Sequence, residues 1–222
     1  MFMKISDQIR LRIESAISSG ELLPGDAIDD VALASQHKVS RTPVREALLQ
    51  LQAQGILSST PRGGHIVSKM NLQQLLSLWE LLAELEGVVV RLACERMTNE
   101  EIKVLVKQHR GSQKIANKED INGWQESNLK FHEIIYEGAR NPFLRQEVLR
   151  IRSRTGAYRR HAFGALGRIK SSYEQHEKIV NALEKRDASA AFTYMTAHMR
   201  PGRDSKTLND FIISLPRELL AG

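Results

Sequence analysis

The stretch that decides the fold of the first part of the chain is Val39-Ser40-Arg41-Thr42-Pro43-Val44-Arg45-Glu46-Ala47-Leu48. Ser40 is a suitable N-cap residue, because its hydroxyl can accept a hydrogen bond from an amide of the first helical turn. Pro43 falls in that first turn, where a missing N–H costs little. At 3.6 residues per turn the apolar side chains share one side and the polar ones the other. The stretch therefore predicts an amphipathic helix that presents Arg41 and Arg45 on its exposed face.

Short elements on both sides of this helix complete a small domain. Isoleucine recurs at every fourth position from 5 to 17, which predicts a first helix that ends at Gly20, and a second helix is predicted from an Asp29 cap to His37. After the helix, residues 56–59 and 65–68 predict two strands around a turn. Three helices followed by a β-hairpin form a winged helix-turn-helix, and the opening helix occupies its recognition position.

The charge of the chain changes sign where the opening helix begins. Residues 1–37 carry three Lys or Arg against six Asp or Glu, whereas residues 38–70 carry five against one. The whole chain has a formal net charge of +6. A local excess of cations on the predicted recognition segment favours a polyanionic partner such as double-stranded DNA.

From residue 71 onward the pattern changes to long amphipathic helices. They are predicted at 72–97, 99–117, 120–138, 142–163, 171–186, 188–200 and 205–214. The predicted fold class is thus mainly α, with a winged helix-turn-helix over residues 1–70 and an antiparallel bundle of six to seven helices over residues 71–222.

Composition argues against a disulfide-bonded, a secreted or a membrane-spanning protein. The single cysteine, Cys94, leaves no internal disulfide framework and fits a reducing compartment. The first twenty residues do not have the pattern of a signal peptide, and four charged residues interrupt the most apolar stretch, 72–94. We therefore expect a cytoplasmic protein without a membrane partner.

The N-terminal residues also carry a family resemblance. The motifs Leu23-Pro24-Gly25, Leu33-Ala34, the stretch from Val39 to Leu48, Leu51, Gly55 and Gly64 together resemble the DNA-binding domain of the GntR family of bacterial transcriptional regulators. The resemblance implies a homodimer that binds an inverted-repeat operator. It implies these roles: Arg41 and Arg45 read guanine edges, Ser40 and Thr42 contact phosphate, and Arg62 and His65 at the wing reach phosphate or the minor groove. His65 can equally be an ordinary histidine of the strand. The family often has an Arg where this chain has Val31, so the DNA contact expected from that Arg has no counterpart in this chain.

Three histidines lie on the apolar faces of different predicted helices: His132, His176 and His198. Asn128 precedes His132 by four residues, so both side chains lie on one face of their helix. Three imidazoles and one oxygen would suit a divalent transition metal. A histidine on an apolar face can equally be a hydrogen-bonded core residue, and the pattern alone leaves both readings open.

The segments around these histidines resemble the effector domain of the FadR subgroup, whose metal-binding members use one acidic residue and three histidines. The resemblance implies a metal site formed by Asn128, His132, His176 and His198 for zinc, nickel, manganese or iron. The subgroup usually has Asp at the position of Asn128 and often Arg at the position of Leu82. A small carboxylate effector is implied, with Arg154 and Tyr158 as further candidate contacts, and the usual sense is repression relieved by effector.

Two other functions are possible. The bundle could bind an apolar ligand without a metal, or three histidines and an open coordination position could activate water as in a metalloenzyme. The second has little support, because no Glu stands in a motif such as H-E-x-x-H. We expect a regulator rather than an enzyme.

Overall fold

The computed structural model describes residues 3–61, 63–166, 168–200, 202 and 205–221, the side chains of 160–166 and 205–207 excepted. The mainly α fold is confirmed. The helices in chain order are α1 (Ile5–Ser19), α2 (Asp30–His37), α3 (Arg41–Ala53), α4 (Leu72–Arg96), α5 (Asn99–Gly111), α6 (Gln113–Asn117), α7 (Ile121–Gly138), α8 (Pro142–Leu166), α9 (Ile169–Glu184), α10 (Ala188–Met199) and α11 (Ser205–Ser214). Among the helices described, none combines the length and the hydropathy needed to cross a bilayer.

The chain divides into two compact units. The N-terminal unit consists of Met1–Gln73, Arg152–Arg160 and Pro216–Gly222, and the helical unit consists of Gln74–Ile151 and His161–Leu215. The middle of α8 therefore belongs to the N-terminal unit. The domain boundary between residues 70 and 71 stays a prediction.

Helix α3 is held to the N-terminal unit by its apolar side. Val44, Ala47, Leu48 and Leu51 are at most 1% exposed, whereas Leu49 is 61% exposed. The helix begins after Ser40, whose backbone is extended, but the Ser40 hydroxyl makes no capping hydrogen bond. The predicted cap is wrong in this respect. Ser40 is exposed, so water can satisfy the amides of the first turn.

The wing is a three-stranded antiparallel sheet. Its strands are β1 (Ala27–Ile28), β2 (Leu57–Ser59) and β3 (His65–Val67), in the order β1-β3-β2. The two predicted strands are present, each shortened by one residue. Strand β1 was missed because two residues carry no alternation and their partner lies far along the chain, Ala27 opposite Ile66.

Defined caps order the helices of the helical unit. Thr98 and Glu101 form a capping box at the start of α5. Arg186 donates to the carbonyl oxygens of Cys94 and Met97 near the end of α4, at 2.9 and 2.7 Å. These bonds satisfy carbonyl groups that a helix end leaves without intrahelical donors.

One predicted helix of the bundle is divided in the structure. Residues 99–117 form α5 and the short α6, separated at Ser112. The Ser112 hydroxyl donates to the carbonyl oxygen of His109 at 2.6 Å. Such local bonds compete with the regular helical ladder, which accounts for the break.

Candidate DNA-reading face and candidate metal centre

The exposed side of α3 carries the two predicted readers. Arg41, Thr42 and Arg45 are exposed, and within the described part of the chain neither guanidinium forms an ion pair or hydrogen bond. Because the opposite side of the helix is fully buried, the arginines project from a fixed support. A guanidinium in this position is free to donate two parallel hydrogen bonds to the O6 and N7 atoms of guanine.

The other predicted DNA contacts lie in different surroundings. Ser40 and Thr42 flank the start of α3 and are exposed. His65 is half-buried, and its Nε2 atom lies 3.1 Å from Oε1 of Gln52. This contact gives the imidazole a partner within the protein, which favours a structural role. Arg62 lies outside the described residues. DNA contact by each of these residues stays a prediction.

The structure brings the three predicted histidines together. His132 on α7, His176 on α9 and His198 on α10 each offer a ring nitrogen, and these nitrogens all lie within 4.8 Å of one another. His132 and His176 are 1% exposed and His198 is half-buried. Helices α9 and α10 follow each other in the chain, whereas α7 comes well before them, so all three histidines meet only when α7 packs against this pair. We call these three residues the histidine cluster.

Hydrogen bonds orient two of the imidazoles. The Nδ1 atom of His132 lies 3.0 Å from a carboxylate oxygen of Glu86, and the Nδ1 atom of His198 lies 2.7 Å from Oε1 of Gln175. Both acceptors are oxygens, so the network assigns the proton to Nδ1 in each ring. The Nε2 lone pairs are then available to a metal.

Spacing and chemistry fit a metal at this point. The Nε2 atoms of His176 and His198 are 3.2 Å apart. Two imidazole nitrogens on one tetrahedral zinc ion, each at about 2.0 to 2.1 Å, would be about 3.3 Å apart. Asn128 is 8% exposed, and its Oδ1 atom is buried without a hydrogen-bond partner in the described structure. A buried amide oxygen one turn before His132 is a suitable fourth ligand.

Aromatic rings surround the histidine cluster. The ring of Phe131 stacks on His176 at a centroid distance of 3.9 Å, and Trp124 lies at 5.5 Å from the same imidazole. His109 on α5 is a further buried histidine, 6.4 Å from His176 between ring centroids, and is not in the cluster. Burial lowers the pKa of His109. The stacked rings restrict the imidazole of His176 to one orientation.

The two candidate effector residues on α8 belong to the N-terminal unit. The hydroxyl of the fully buried Tyr158 accepts from the amide of Met70 at 3.2 Å and donates to the carbonyl of Leu219 at 3.0 Å. The Arg154 guanidinium lies beside Gly55. These contacts favour a structural role for Tyr158 and Arg154, and effector contact by them stays a prediction. Leu82, where the subgroup often has Arg, is fully buried.

Sequence reasoning missed the residues that support the cluster. Glu86 and Gln175 orient its histidines, and Tyr136 donates a hydrogen bond to Glu86, but these three residues carry no motif of their own. A signal existed for Glu86, which falls on the apolar face of α4 one turn after Leu82. A carboxylate on such a face is almost never buried without a partner.

Comparison with known proteins adds two family matches. The profile described as "Bacterial regulatory proteins, gntR family" matches residues 5–67, and the profile of the FCD domain matches residues 77–201. The Nta operon transcriptional regulator of Aminobacter aminovorans is 49% identical over 82 residues, which cover 37% of this chain and 39% of that protein. The transcriptional repressor GlaR of Escherichia coli is 27% identical over 195 residues, covering 84% of this chain and 89% of that protein.

The fold also matches a solved structure. McbR (YncC) of Escherichia coli superimposes with a TM-score of 0.83 over 96% of this chain and 99% of that protein, at 24% identity. A similarity at this level of identity concerns the fold. It supports the order of a winged helix-turn-helix followed by a helical domain.

Proposed function

The chain belongs to the GntR family of bacterial regulatory proteins and carries an FCD domain, and we propose that this DNA-binding transcriptional regulator is controlled by a small carboxylate bound at a metal in its histidine cluster. The metal-ligand set is Asn128, His132, His176 and His198. The matched families are regulators rather than enzymes.

The observation that carries the proposal is the convergence of three ring nitrogens within 4.8 Å of one another. Each histidine comes from a different helix, and two of them have their Nδ1 atoms held by oxygen acceptors. The Nε2 atoms of His176 and His198 are close enough for one hydrogen bond between the two rings, but that pair does not account for His132 as a third nitrogen at the same place. The arrangement therefore favours a metal over three independent core residues.

The chain's own residues would hold the metal and leave room for an effector. Three nitrogens and one amide oxygen occupy four positions, and nickel, manganese and iron accept further ligands. When bound, the metal supplies a positive charge that attracts a carboxylate. Because Asn128 contributes no negative charge, the site favours an anionic effector more than it would with Asp at this position.

The DNA-binding part of the proposal is a two-fold dimer on an inverted repeat. In such a dimer each α3 enters one half-site, with Arg41 and Arg45 toward base edges. We propose repression that an effector relieves, and the name of the relative GlaR, a transcriptional repressor, supports the repression. Effector control requires that the ligand favour one arrangement of the two DNA-binding domains.

Elemental analysis of purified protein tests the metal. The wild type is expected to retain a stoichiometric divalent transition metal, and the His132→Ala/His176→Ala double variant is expected to lose it. His109→Ala is the matched control, because His109 is a buried histidine of the same bundle outside the cluster. Equal metal content in the wild type and the double variant would contradict the proposal and favour a bundle that binds an apolar ligand without metal.

Recovery of bound sequences from random DNA tests the DNA-binding part. The selected sites are expected to be inverted repeats, bound with one dimer per site. Adding metal and small carboxylates in turn should change the affinity for the selected site by about 1 to 3 kcal/mol. If no organic acid changes the affinity while the metal is bound, the proposed effector class is wrong.

A further inference from the structure

A buried carboxylate adjoins the histidine cluster without belonging to it. Glu86, in the middle of α4, is 0% exposed. One of its oxygens lies 3.0 Å from Nδ1 of His132, and the other accepts a hydrogen bond from the hydroxyl of Tyr136. A buried carboxylate is costly unless donors surround it, and here donors reach both oxygens.

The partners of Glu86 are spaced to hold the carboxylate in one position. His132 and Tyr136 are four residues apart on α7, so their side chains lie one above the other and face α4 together. Tyr136 is 1% exposed and cannot exchange its bond for water. The carboxylate is thereby fixed against the imidazole, and the imidazole against the carboxylate.

The bond between Glu86 and His132 determines what His132 can do. An acceptor at Nδ1 selects the tautomer with its proton on that atom, which leaves the Nε2 lone pair for a metal. A carboxylate acceptor also makes the imidazole a stronger donor of electrons than an amide would. The same protein offers the comparison, since Nδ1 of His198 faces the neutral amide oxygen of Gln175.

We propose that Glu86 is a positioning residue of the metal site and supplies, through His132, the negative charge that Asn128 does not provide. The inference rests on the proposed metal site. Asn128 offers a neutral oxygen where an aspartate would offer a charged one, and Glu86 places a carboxylate one hydrogen bond from the same site. The site then keeps its affinity for a divalent cation, because the carboxylate of Glu86 is hydrogen-bonded to the ligand His132 and is not itself a ligand.

A purely structural role for Glu86 makes different predictions. Its bonds to His132 and Tyr136 join α4 to α7, so removing the carboxylate would destabilise the bundle with or without a metal. The free energy of unfolding of the metal-free protein measures that contribution. Metal affinity, measured on protein that remains folded, measures the positioning role.

The test compares Zn²⁺ and Co²⁺ binding by the full-length wild type and by Glu86→Gln. Gln keeps the size of the side chain and removes its charge. The dissociation constant for Zn²⁺ is expected to rise about 10- to 100-fold, and the visible absorption of the Co²⁺ complex should change. Glu84→Gln is the matched control, because Glu84 lies on the same helix with a half-exposed side chain that pairs with Arg200.

A second substitution separates charge from structure. Asn128→Asp adds an anionic ligand and is expected to tighten Zn²⁺ binding more in the Glu86→Gln background than in the wild type. Asn128→Asp would not repair a packing defect between α4 and α7. If Glu86→Gln does not fold, Glu86→Asp keeps the charge but withdraws the oxygens from His132, and it should weaken Zn²⁺ binding as well.

The outcomes distinguish this inference from the proposed function. If the wild type binds neither metal, the metal site and the inference fail together. If the wild type binds but Glu86→Gln binds as tightly, with the same Co²⁺ spectrum, only the role of Glu86 is overturned. Weaker binding that Asn128→Asp fails to relieve would also overturn the charge argument and leave a structural role.

Discussion

The exposed face of α3 and the histidine cluster of the helical unit place polar groups in opposite surroundings. On α3, Arg41 and Arg45 stand in water on a helix whose other side is buried. In the cluster, His132 and His176 are buried, and oxygen acceptors hold the imidazoles of His132 and His198. The exposed arginines of α3 can be replaced without disturbing the fold. The histidines of the cluster pack against neighbouring helices, so replacing them changes both the proposed metal binding and the stability of the protein.

Two adjacent leucines of α3 allow the buried and the exposed side of one helix to be compared by their effect on stability. Leu48 is 1% exposed and Leu49 is 61% exposed. Leu48→Ala is expected to lower the free energy of unfolding by about 2 to 5 kcal/mol, because it leaves a cavity in the core. Leu49→Ala should change it by less than about 0.5 kcal/mol. Denaturant unfolding measures both, and similar losses would contradict the assigned orientation of α3.

Replacing the exposed arginines should affect DNA binding without affecting stability. Arg45→Ala and Arg41→Ala are each expected to cost about 1 to 3 kcal/mol in operator binding and to relax base preference at one position. Arg91→Ala, an exposed arginine of the helical unit, is the control and should leave operator affinity unchanged. Titration of the selected operator and of single-base variants measures the effect. Unchanged selectivity in Arg45→Ala would contradict its role as a reader.

The smallest expected effect concerns acid sensitivity and the buried His109. Burial lowers the pKa of His109 in the folded protein, with the nearby Glu177 opposing and Arg110 adding to that shift. The unfolded chain therefore takes up a proton first, below about pH 6.5, and stability present above that pH is lost as the pH falls toward the lowered value. His109→Leu should show a weaker decline in the free energy of unfolding between about pH 7 and pH 5. If the free energy of unfolding declines equally in His109→Leu and in the wild type, the lowered pKa of His109 is contradicted.

The same contrast explains what the sequence could predict. The α3 face is contiguous, and its helical period, the change of charge at Lys38 and the turn at Gly55 are all local signals. A meeting of the three histidines inside the bundle was predictable, because each lies on the apolar face of a different helix. Glu86, 46 residues from His132, could not be paired with it, since that contact depends on how α4 packs against α7. Strand β1 was missed for the same reason.

The hydrogen bonding of Tyr158 and of Ser40 also depends on packing and was not predictable from the sequence. A helical phase that turns Tyr158 inward is correct, but its hydroxyl bonds the backbone of Met70 and Leu219, and the periodicity of α8 alone could not indicate this. Ser40 occupies the N-cap position without making the capping bond. For Tyr158 and Ser40, the sequence predicted the position of the residue but not its hydrogen bonding.

In the proposed mechanism, the histidine cluster holds a metal through which a small carboxylate changes DNA affinity. The test is the operator affinity of the wild type and of His132→Ala/His176→Ala after chelation, titrated with small carboxylates in turn, with and without added Ni²⁺ or Mn²⁺. Metal plus carboxylate is expected to shift the wild-type affinity by about 5- to 150-fold and to leave that of the double variant unchanged. An equal shift in both proteins, or none in a metal-loaded wild type with any organic acid, would contradict it.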